Sequence, residues 1–372
     1  MKILFLSAAK SIHTVKWVNA FAKRGHEVFL IYNKGHEPKE DALDKKVHLH
    51  QLRYGGGAGY YLNARELFKL EKEICPDVIN VHYASGYGTL ARQAHLSPYI
   101  LSIWGSDVYD FPYSGKIKNL ILKRNVRNAA YLASTSNCMA RQLKKVMEDD
   151  NLEVAITPFG VDLDLFNPEL FEPKEKEEFI IGNIKALEDK YGIKELVLAF
   201  GKLKKEIDEE KIFEKPLKLL IYGNGSQKEN LESLIKEQRL EDSVKLMGRI
   251  PNDKVPEALN KFDIFCSLSR EESFGVSAVE AMAMKKVVVA SNADGLREVI
   301  ENGVTGLLVQ YTDIGLIKDR LKQLVLDEHL RKKMGTAGRM RVESLYDWRR
   351  NVEHMLELYE EAKIGQNGTE KK

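Results

Sequence analysis

The sequence predicts an α/β protein of two doubly wound domains, each a parallel sheet covered by helices on both faces. Three observations predict it. The chain has 372 residues, long for a single hydrophobic core. Short apolar runs alternate with helical patterns along most of its length, the pattern of strand–helix–strand units. A stretch with prolines and charges near the middle interrupts the alternation, which then restarts.

The first half opens with Lys2–Ser7, a short apolar run, followed by the small polar loop Ala8–His13. Thr14–Lys23 places Val15, Val18 and Phe21 at helical spacing, and Arg24-Gly25-His26 closes that helix before a strand over Glu27–Tyr32. A helix near Asn63–Ile74, a strand Asp77–His82, a helix near Gly88–Ala94 and strands Tyr99–Ile103 and Tyr131–Ser134 continue the unit. A helix over Cys138–Met147 completes it. His48 and His50 alternate along a further strand with no Cys or Asp cluster beside them, so they read as structural. The linker runs from Thr157-Pro158-Phe159-Gly160 through Pro168 and the charged Glu172–Glu178. Beyond it, Phe179–Asn183, Leu217–Tyr222, Val244–Met247, Ile264–Ser267, Val287–Ala290 and Gly306–Val309 read as strands with helices between them. The expected domains are 1–165, joined by a C-terminal helix at about 346–364, and 166–345.

Composition excludes several classes. With 44% hydrophobic and 30% charged residues the chain is ordinary globular protein, and its net charge of +2 names no partner. Cys75, Cys138 and Cys266 are scattered and odd in number, which suits buried thiols in a reducing compartment rather than disulfides or zinc. No run approaches the roughly 18 apolar residues of a membrane span, so a cytoplasmic protein is expected. From Phe111 to Met147 there are eight Lys or Arg and no acid. That segment is either a solvated helical face or a contact with anionic lipid or an acidic acceptor.

In open parallel sheets, ligands bind beyond the carboxyl ends of the strands. The most informative such loop is Ser267–Gly275, which enters the apolar helix Val276–Met284. Glu280 is the one charge in that helix, about a turn inside. A carboxylate there needs donors, and a ribose diol supplies two; a bond to backbone or to an Arg is the structural alternative. Gly275 lets the amides around Ser273, Phe274 and Val276 approach a phosphate at the helix start. Glu272 lies in the loop above, placed to accept sugar hydroxyls. After the first strand of this half, Lys185 and Lys190 are candidates to hold a diphosphate and stabilise its departure. Gly223-Asn224-Gly225 follows another strand as a tight turn. Asp162-Leu163-Asp164 mimics a metal-binding DxD but lies in the linker. Gly55-Gly56-Gly57-Ala58-Gly59 could be taken for a phosphate cradle; it does not follow the first strand and reads as a mobile loop, placed over the acceptor.

These residues carry a resemblance. The Glu272–Glu280 spacing around Phe274-Gly275, Gly295-Leu296-Arg297-Glu298, Pro158-Phe159-Gly160-Val161-Asp162 with Phe166, Gly223-Asn224-Gly225 and Asn302-Gly303-Val304-Thr305-Gly306 resemble glycosyltransferase family four, in family order over about residues 158–310. The resemblance implies a GT-B fold of two Rossmann-like domains facing a central cleft. It further implies retaining hexosyl transfer from a nucleotide sugar, UDP-linked or GDP-linked, with no cofactor and no required metal. Glu280 would bind ribose, Glu272 the donor sugar, Lys185 and Lys190 the diphosphate, and Val244–Arg249, ending in Arg249, would flank the base. Both diphosphate candidates are lysines, which keeps charge but loses the bidentate fork of the family's usual arginine. Trp104, in Ile103-Trp104-Gly105-Ser106-Asp107, stands where many relatives carry a histidine. Asp107 and His82 are then rival catalytic candidates in the first half, with His13 a third on the acceptor side. The expected acceptor is a glycan or lipid-linked sugar in surface polysaccharide or glycoconjugate assembly, with peripheral contact at the inner face of the cytoplasmic membrane and no nucleic-acid partner. The alternatives are a GT-B sugar-nucleotide epimerase or hydrolase, or a catalytically degenerate nucleotide-binding scaffold.

Overall fold

The computed structural model describes residues 1–172 and 176–369, with the side chains of 364–369 outside that description. The chain separates into two compact units, one of Met1–Phe159 with the segment from Arg349 onward, the other Gly160–Trp348.

The first unit holds seven strands: β1 (Lys2–Leu6), β2 (Glu27–Lys34), β3 (Val47–Gly55), β4 (Val78–His82), β5 (Ile100–Ile103), β6 (Tyr131–Ser134) and β7 (Ala155–Ile156). They form one sheet in the order β3-β2-β1-β4-β5-β6-β7, with every pairing parallel. Central strands covered on both faces need apolar side chains at every position rather than alternate ones. Ile3, Leu4, Phe5 and Leu6 are accordingly all fully buried. The helix Ile12–Lys23 packs by Trp17 and Phe21, whose rings stack 5.8 Å apart. Ser136 caps the helix Asn137–Met147 by accepting from Met139 N. The C-terminal helix Trp348–Thr369 joins this unit through buried Tyr359, which packs on Phe21 and accepts a hydrogen bond from Asn80 Nδ2 at 2.6 Å.

The glycine run is not a loop. Strand β3 extends through Gly55, and Gly56–Leu62 forms a helix. Asn63 fastens its far end: its Oδ1 accepts from Tyr54 N, and its Nδ2 donates to Tyr54 O and Asn33 Oδ1. Gly59 sits so close to Tyr54 that a Cβ would lie 2.6 Å from the carbonyl oxygen. The glycines thus permit close packing. Cys75 is exposed, against expectation, while Cys138 and Cys266 are buried.

The second unit contains β8 (Phe179–Ile184), β9 (Leu217–Tyr222), β10 (Val244–Gly248), β11 (Ile264–Ser267), β12 (Val287–Ser291) and β13 (Gly306–Val309). Their order is β10-β9-β8-β11-β12-β13, again all parallel. In each sheet the chain winds outward in one direction, returns to the centre and winds outward in the other. The reversal, between β1 and β4 or between β8 and β11, leaves a crevice at the strand carboxyl ends. The two Rossmann-like sheets expected from the sequence are both present. Among the described residues no helix is long and apolar enough to cross a membrane.

Candidate functional site

The β8–β11 reversal gathers most of the residues expected to bind a donor. The chain leaving β8 carries Lys185, the chain leaving β11 carries Glu272, and Lys185 Nζ lies 2.6 Å from Glu272 Oε2. The same carboxylate oxygen accepts from Ser269 Oγ at 3.2 Å. Both side chains of the ion pair are largely enclosed, at 18% and 13% exposure, so neither charge is fully hydrated and each depends on the other. The ammonium of Lys185 lies 4.7 Å from the Tyr191 ring centroid and that of exposed Lys190 lies 5.2 Å from it. Tyr191 therefore gathers both cations through its ring face.

Backbone contacts fix this arrangement. Arg270 N donates to Lys190 O at 2.8 Å, tying the two loops together. Gly192, at φ +65°, lies against Leu268, where a Cβ would fall 2.1 Å from the carbonyl oxygen. Gly223 approaches Lys185 O as closely, and Leu187 N donates to Asn224 O. Gly275 adopts φ +97° and starts the helix Val276–Ala283, with its carbonyl accepting from Ala278 N and Val279 N. Phe274 is buried against Tyr346, and Ser273 and Val276 flank the helix start half-buried. Glu280 is half-buried rather than enclosed. Beside this site Gly223, Asn224, Lys228, Met247 and Arg249 line a cavity of about 260 Å³. Asp162 holds a local turn, its Oδ1 accepting from Asp164 N and Leu165 N.

In the first unit the expected catalytic residues lie beneath the surface. His82 is 1% exposed, with Nδ1 3.0 Å from Ser7 Oγ and its ring 4.0 Å from that of Trp104. Burial holds its pKa well below the ordinary histidine value, with His13 adding to the effect. Asp107 is equally enclosed. Its carboxylate accepts from the backbone N–H groups of Ala84, Trp104 and Gly105, joining the loops after β4 and β5. Burial raises its pKa, and those N–H groups oppose the rise. As placed, both are enclosed rather than open to a substrate. Half-buried Trp104 covers His82 and packs edge-on to His13 and Phe159. His13 stacks on Phe159 at 3.8 Å, and burial, with Lys16 second, lowers its pKa to about 4.

The open part of the β1–β4 reversal lies beside this cluster. It is a cavity of about 490 Å³ whose lining includes Lys10, Ser11, His36, Tyr60, Tyr83 and Tyr87. The Tyr87 hydroxyl accepts from Asn33 N at 3.2 Å and lies 2.7 Å from His36 Nδ1. The hydroxyl can donate to Nδ1 or accept from it, according to which ring nitrogen of the neutral imidazole carries the proton. Burial, then Lys10, lowers the His36 pKa and favours that neutral form. Gly86 admits the Tyr60 ring, which a Cβ would meet at 2.4 Å. The sequence reading missed this cavity. Its one local signal is Tyr83 and Tyr87 just past the end of β4.

Two all-parallel sheets of this strand order, each reversing at its centre, form the GT-B architecture. Family models agree. "Glycosyl transferases group 1" matches residues 168–341 and "Glycosyl transferase 4-like" matches residues 2–136. The chain belongs to the family-four-like glycosyltransferases, enzymes of hexosyl transfer. Among its relatives, N-acetyl-alpha-D-glucosaminyl L-malate synthase of Bacillus anthracis is 25% identical over 91% of this chain and 89% of its own length. A glycosyltransferase structure from Rickettsia africae superposes with TM-score 0.79 at 21% identity, covering 97% of this chain and 98% of that one. An Anabaena structure in complex with UDP and glucose gives TM-score 0.73 at 16% identity, covering 97% and 100%. At those identities the structural likenesses speak for the fold.

Proposed function

We propose that the protein moves a hexosyl unit, with retention at the anomeric carbon, from a nucleotide sugar to a glycan or lipid-linked acceptor. UDP-sugar is the favoured donor and GDP-sugar the alternative. The carrying observation is the meeting of Lys185, Glu272, Tyr191 and Lys190 across the β8–β11 reversal. Two cations beside a glycine-started helix suit a diphosphate, whose negative charge grows as the bond to the sugar breaks. In this reading Lys185, Lys190 and the amides near Gly275 take up that charge, without a metal ion. Glu280 binds the ribose hydroxyls, Glu272 the sugar hydroxyls, and Gly223, Asn224 and Arg249 border the base.

The Lys185–Glu272 pair holds both side chains in place before the donor arrives. When the anomeric C–O bond to phosphate breaks, the acceptor oxygen forms its bond on the same face. The acceptor proton passes to the departing phosphate, so no enzymic nucleophile is required. The cavity lined by His36, Tyr60 and Tyr83 is the acceptor-side counterpart, offering ring faces and the imidazole of His36. The relative from Bacillus anthracis, by its name, handles a glucosaminyl group and malate, which supports a hexose-type donor. Surface polysaccharide or glycoconjugate assembly at the cytoplasmic face of a membrane is the setting this reading favours.

The test is turnover with α-linked UDP- and GDP-hexoses and a panel of glycan and lipid-linked acceptors, with the product followed by NMR, with and without EDTA. An α-linked product formed equally in EDTA is expected. A β-linked product would rule out retention, and donor turnover without any glycoside product would point to an epimerase or hydrolase.

A further inference from the structure

The acid-free segment of the first unit folds into an amphipathic surface whose apolar side chains face outward. Within the helix Lys116–Asn128, Leu122, Asn125 and Val126 are buried toward the core. Lys116, Ile117, Leu120, Arg124 and Arg127 are spaced to share the opposite face and are exposed. Ile117 is 76% exposed and Leu120 47%, with Tyr113 just before the helix at 60%. Single exposed apolar residues are ordinary on protein surfaces. Three of them interleaved with three exposed cations outside any close ion pair are a different pattern.

Elsewhere in the protein, surface lysines on helices pair with acids one turn away, as in Lys204–Asp208, Lys228–Glu232 and Lys261–Glu257. Here the sequence supplies no acid between Phe111 and Met147. Among the described residues Lys123 is paired, with Glu148, whose carboxylate Arg127 also stabilises from a greater distance; no close ion pair engages Lys116, Arg124 or Arg127. A second apolar patch, on a helix that also carries Glu66, Glu71 and Glu73, lies nearby. Tyr61, Leu62 and Phe68 are exposed, with Arg65 and Lys69 beside them. The helix Gly86–Gln93 packs against the helices bearing both patches, so the two occupy one helical layer of this unit.

We propose that this layer docks the protein on a membrane surface bearing anionic phospholipid headgroups. Ile117, Leu120 and Tyr113 enter the boundary between headgroups and acyl chains, while Lys116, Arg124 and Arg127 meet the lipid phosphates. The apolar residues decide against an acidic glycan or a nucleic acid, either of which would use the cations and leave Ile117 and Leu120 in water. The inference deepens the proposed use of a lipid-linked acceptor, but it rests on the first unit's surface and is independent of the donor assignment.

The experiment is co-sedimentation of the full chain with phosphatidylcholine vesicles and with vesicles that also contain phosphatidylglycerol. Binding to the anionic vesicles alone, weakened by salt, is expected. Neutralising Lys116, Arg124 and Arg127 together to Ala should weaken it on the order of a hundredfold, at roughly fivefold per cation. Ile117→Ser with Leu120→Ser should weaken it about tenfold or more, since the apolar insertion is lost. Both variants alter exposed positions, so unchanged melting temperature and nucleotide-sugar binding serve as the fold control and separate this test from that of the transferase reading. Equal binding to neutral vesicles, no vesicle binding, or a serine variant that binds like the wild type would each overturn the proposal; the last would point to a purely electrostatic partner such as an acidic glycan.

Discussion

Lys185 and Glu272 lie 2.6 Å apart in a largely enclosed setting, so removing either leaves a poorly hydrated charge without its partner. Lys185→Ala is predicted to lower kcat/KM on the order of 10²- to 10³-fold, the usual effect of losing one fixed group that stabilises developing negative charge. Lys190 is exposed, and Lys190→Ala should cost closer to tenfold. Steady-state kinetics of the single variants and of Lys185→Ala combined with Glu272→Gln would show non-additive losses if the pair acts as a unit. His13 gives a prediction about stability. Its folded pKa is about 4 against an ordinary 6.5, so between those values the unfolded chain binds more protons. The stability associated with neutral His13 is fully present above pH 6.5 and is lost as pH falls toward 4, to the extent of about 3 kcal/mol. His13→Phe preserves a ring against Phe159 and removes the titration. Its melting temperature should fall less steeply than that of the wild type between pH 7 and pH 4.

At the scale of elements, the donor site depends on two loops pressed together. Gly192→Ala would force a Cβ to 2.1 Å from Leu268 O in a left-handed backbone conformation, so the Lys190 loop must shift away from the Ser269 loop. The predicted result is a stability loss of about 1–3 kcal/mol with weakened donor binding, measured by denaturant unfolding and nucleotide titration. Asp107→Ala would leave the buried N–H groups of Ala84 and Gly105 without their acceptor. It should destabilise the first unit by roughly 2–5 kcal/mol while donor binding in the second unit is kept. Much of this framework was legible in the sequence. Strands β6, β9, β11 and β13 fall on the expected residues, because continuous apolar runs bounded by turn residues have few alternatives. The sequence places Lys185, Glu272 and Gly275 in loops that follow strands, and in the fold those strands, β8 and β11, meet where the strand order reverses. The helix Gly56–Leu62 was hidden because its glycines are poor helix formers, and contacts supplied by Asn63 and Tyr54 outweigh that propensity. The enclosure of His82 and Asp107 was equally hidden. A histidine at a strand end reads the same whether it faces a ligand or, as here, lies under Trp104.

For the whole molecule, both units wind their sheets outward from a central reversal, and each reversal opens beside a cavity lined by polar side chains. The proposed division of labour rests on the side chains gathered near each reversal. The second unit supplies cations, a helix start and a carboxylate in that helix; the first supplies aromatic faces and a neutral imidazole. The central claim is that the second unit holds a nucleotide sugar with Glu280 on its ribose. The most direct test is thermal unfolding of the wild type and Glu280→Ala with UDP, GDP, ADP and their sugar conjugates, without added metal. A ligand bound to the folded state at a hundred times its Kd adds about 2.7 kcal/mol of stability, an upward shift of roughly 5–11 °C for domains of this size. The account predicts that shift with uridine or guanosine diphosphates in the wild type and its loss in Glu280→Ala. No shift with any nucleotide, or an equal shift in Glu280→Ala, would contradict it.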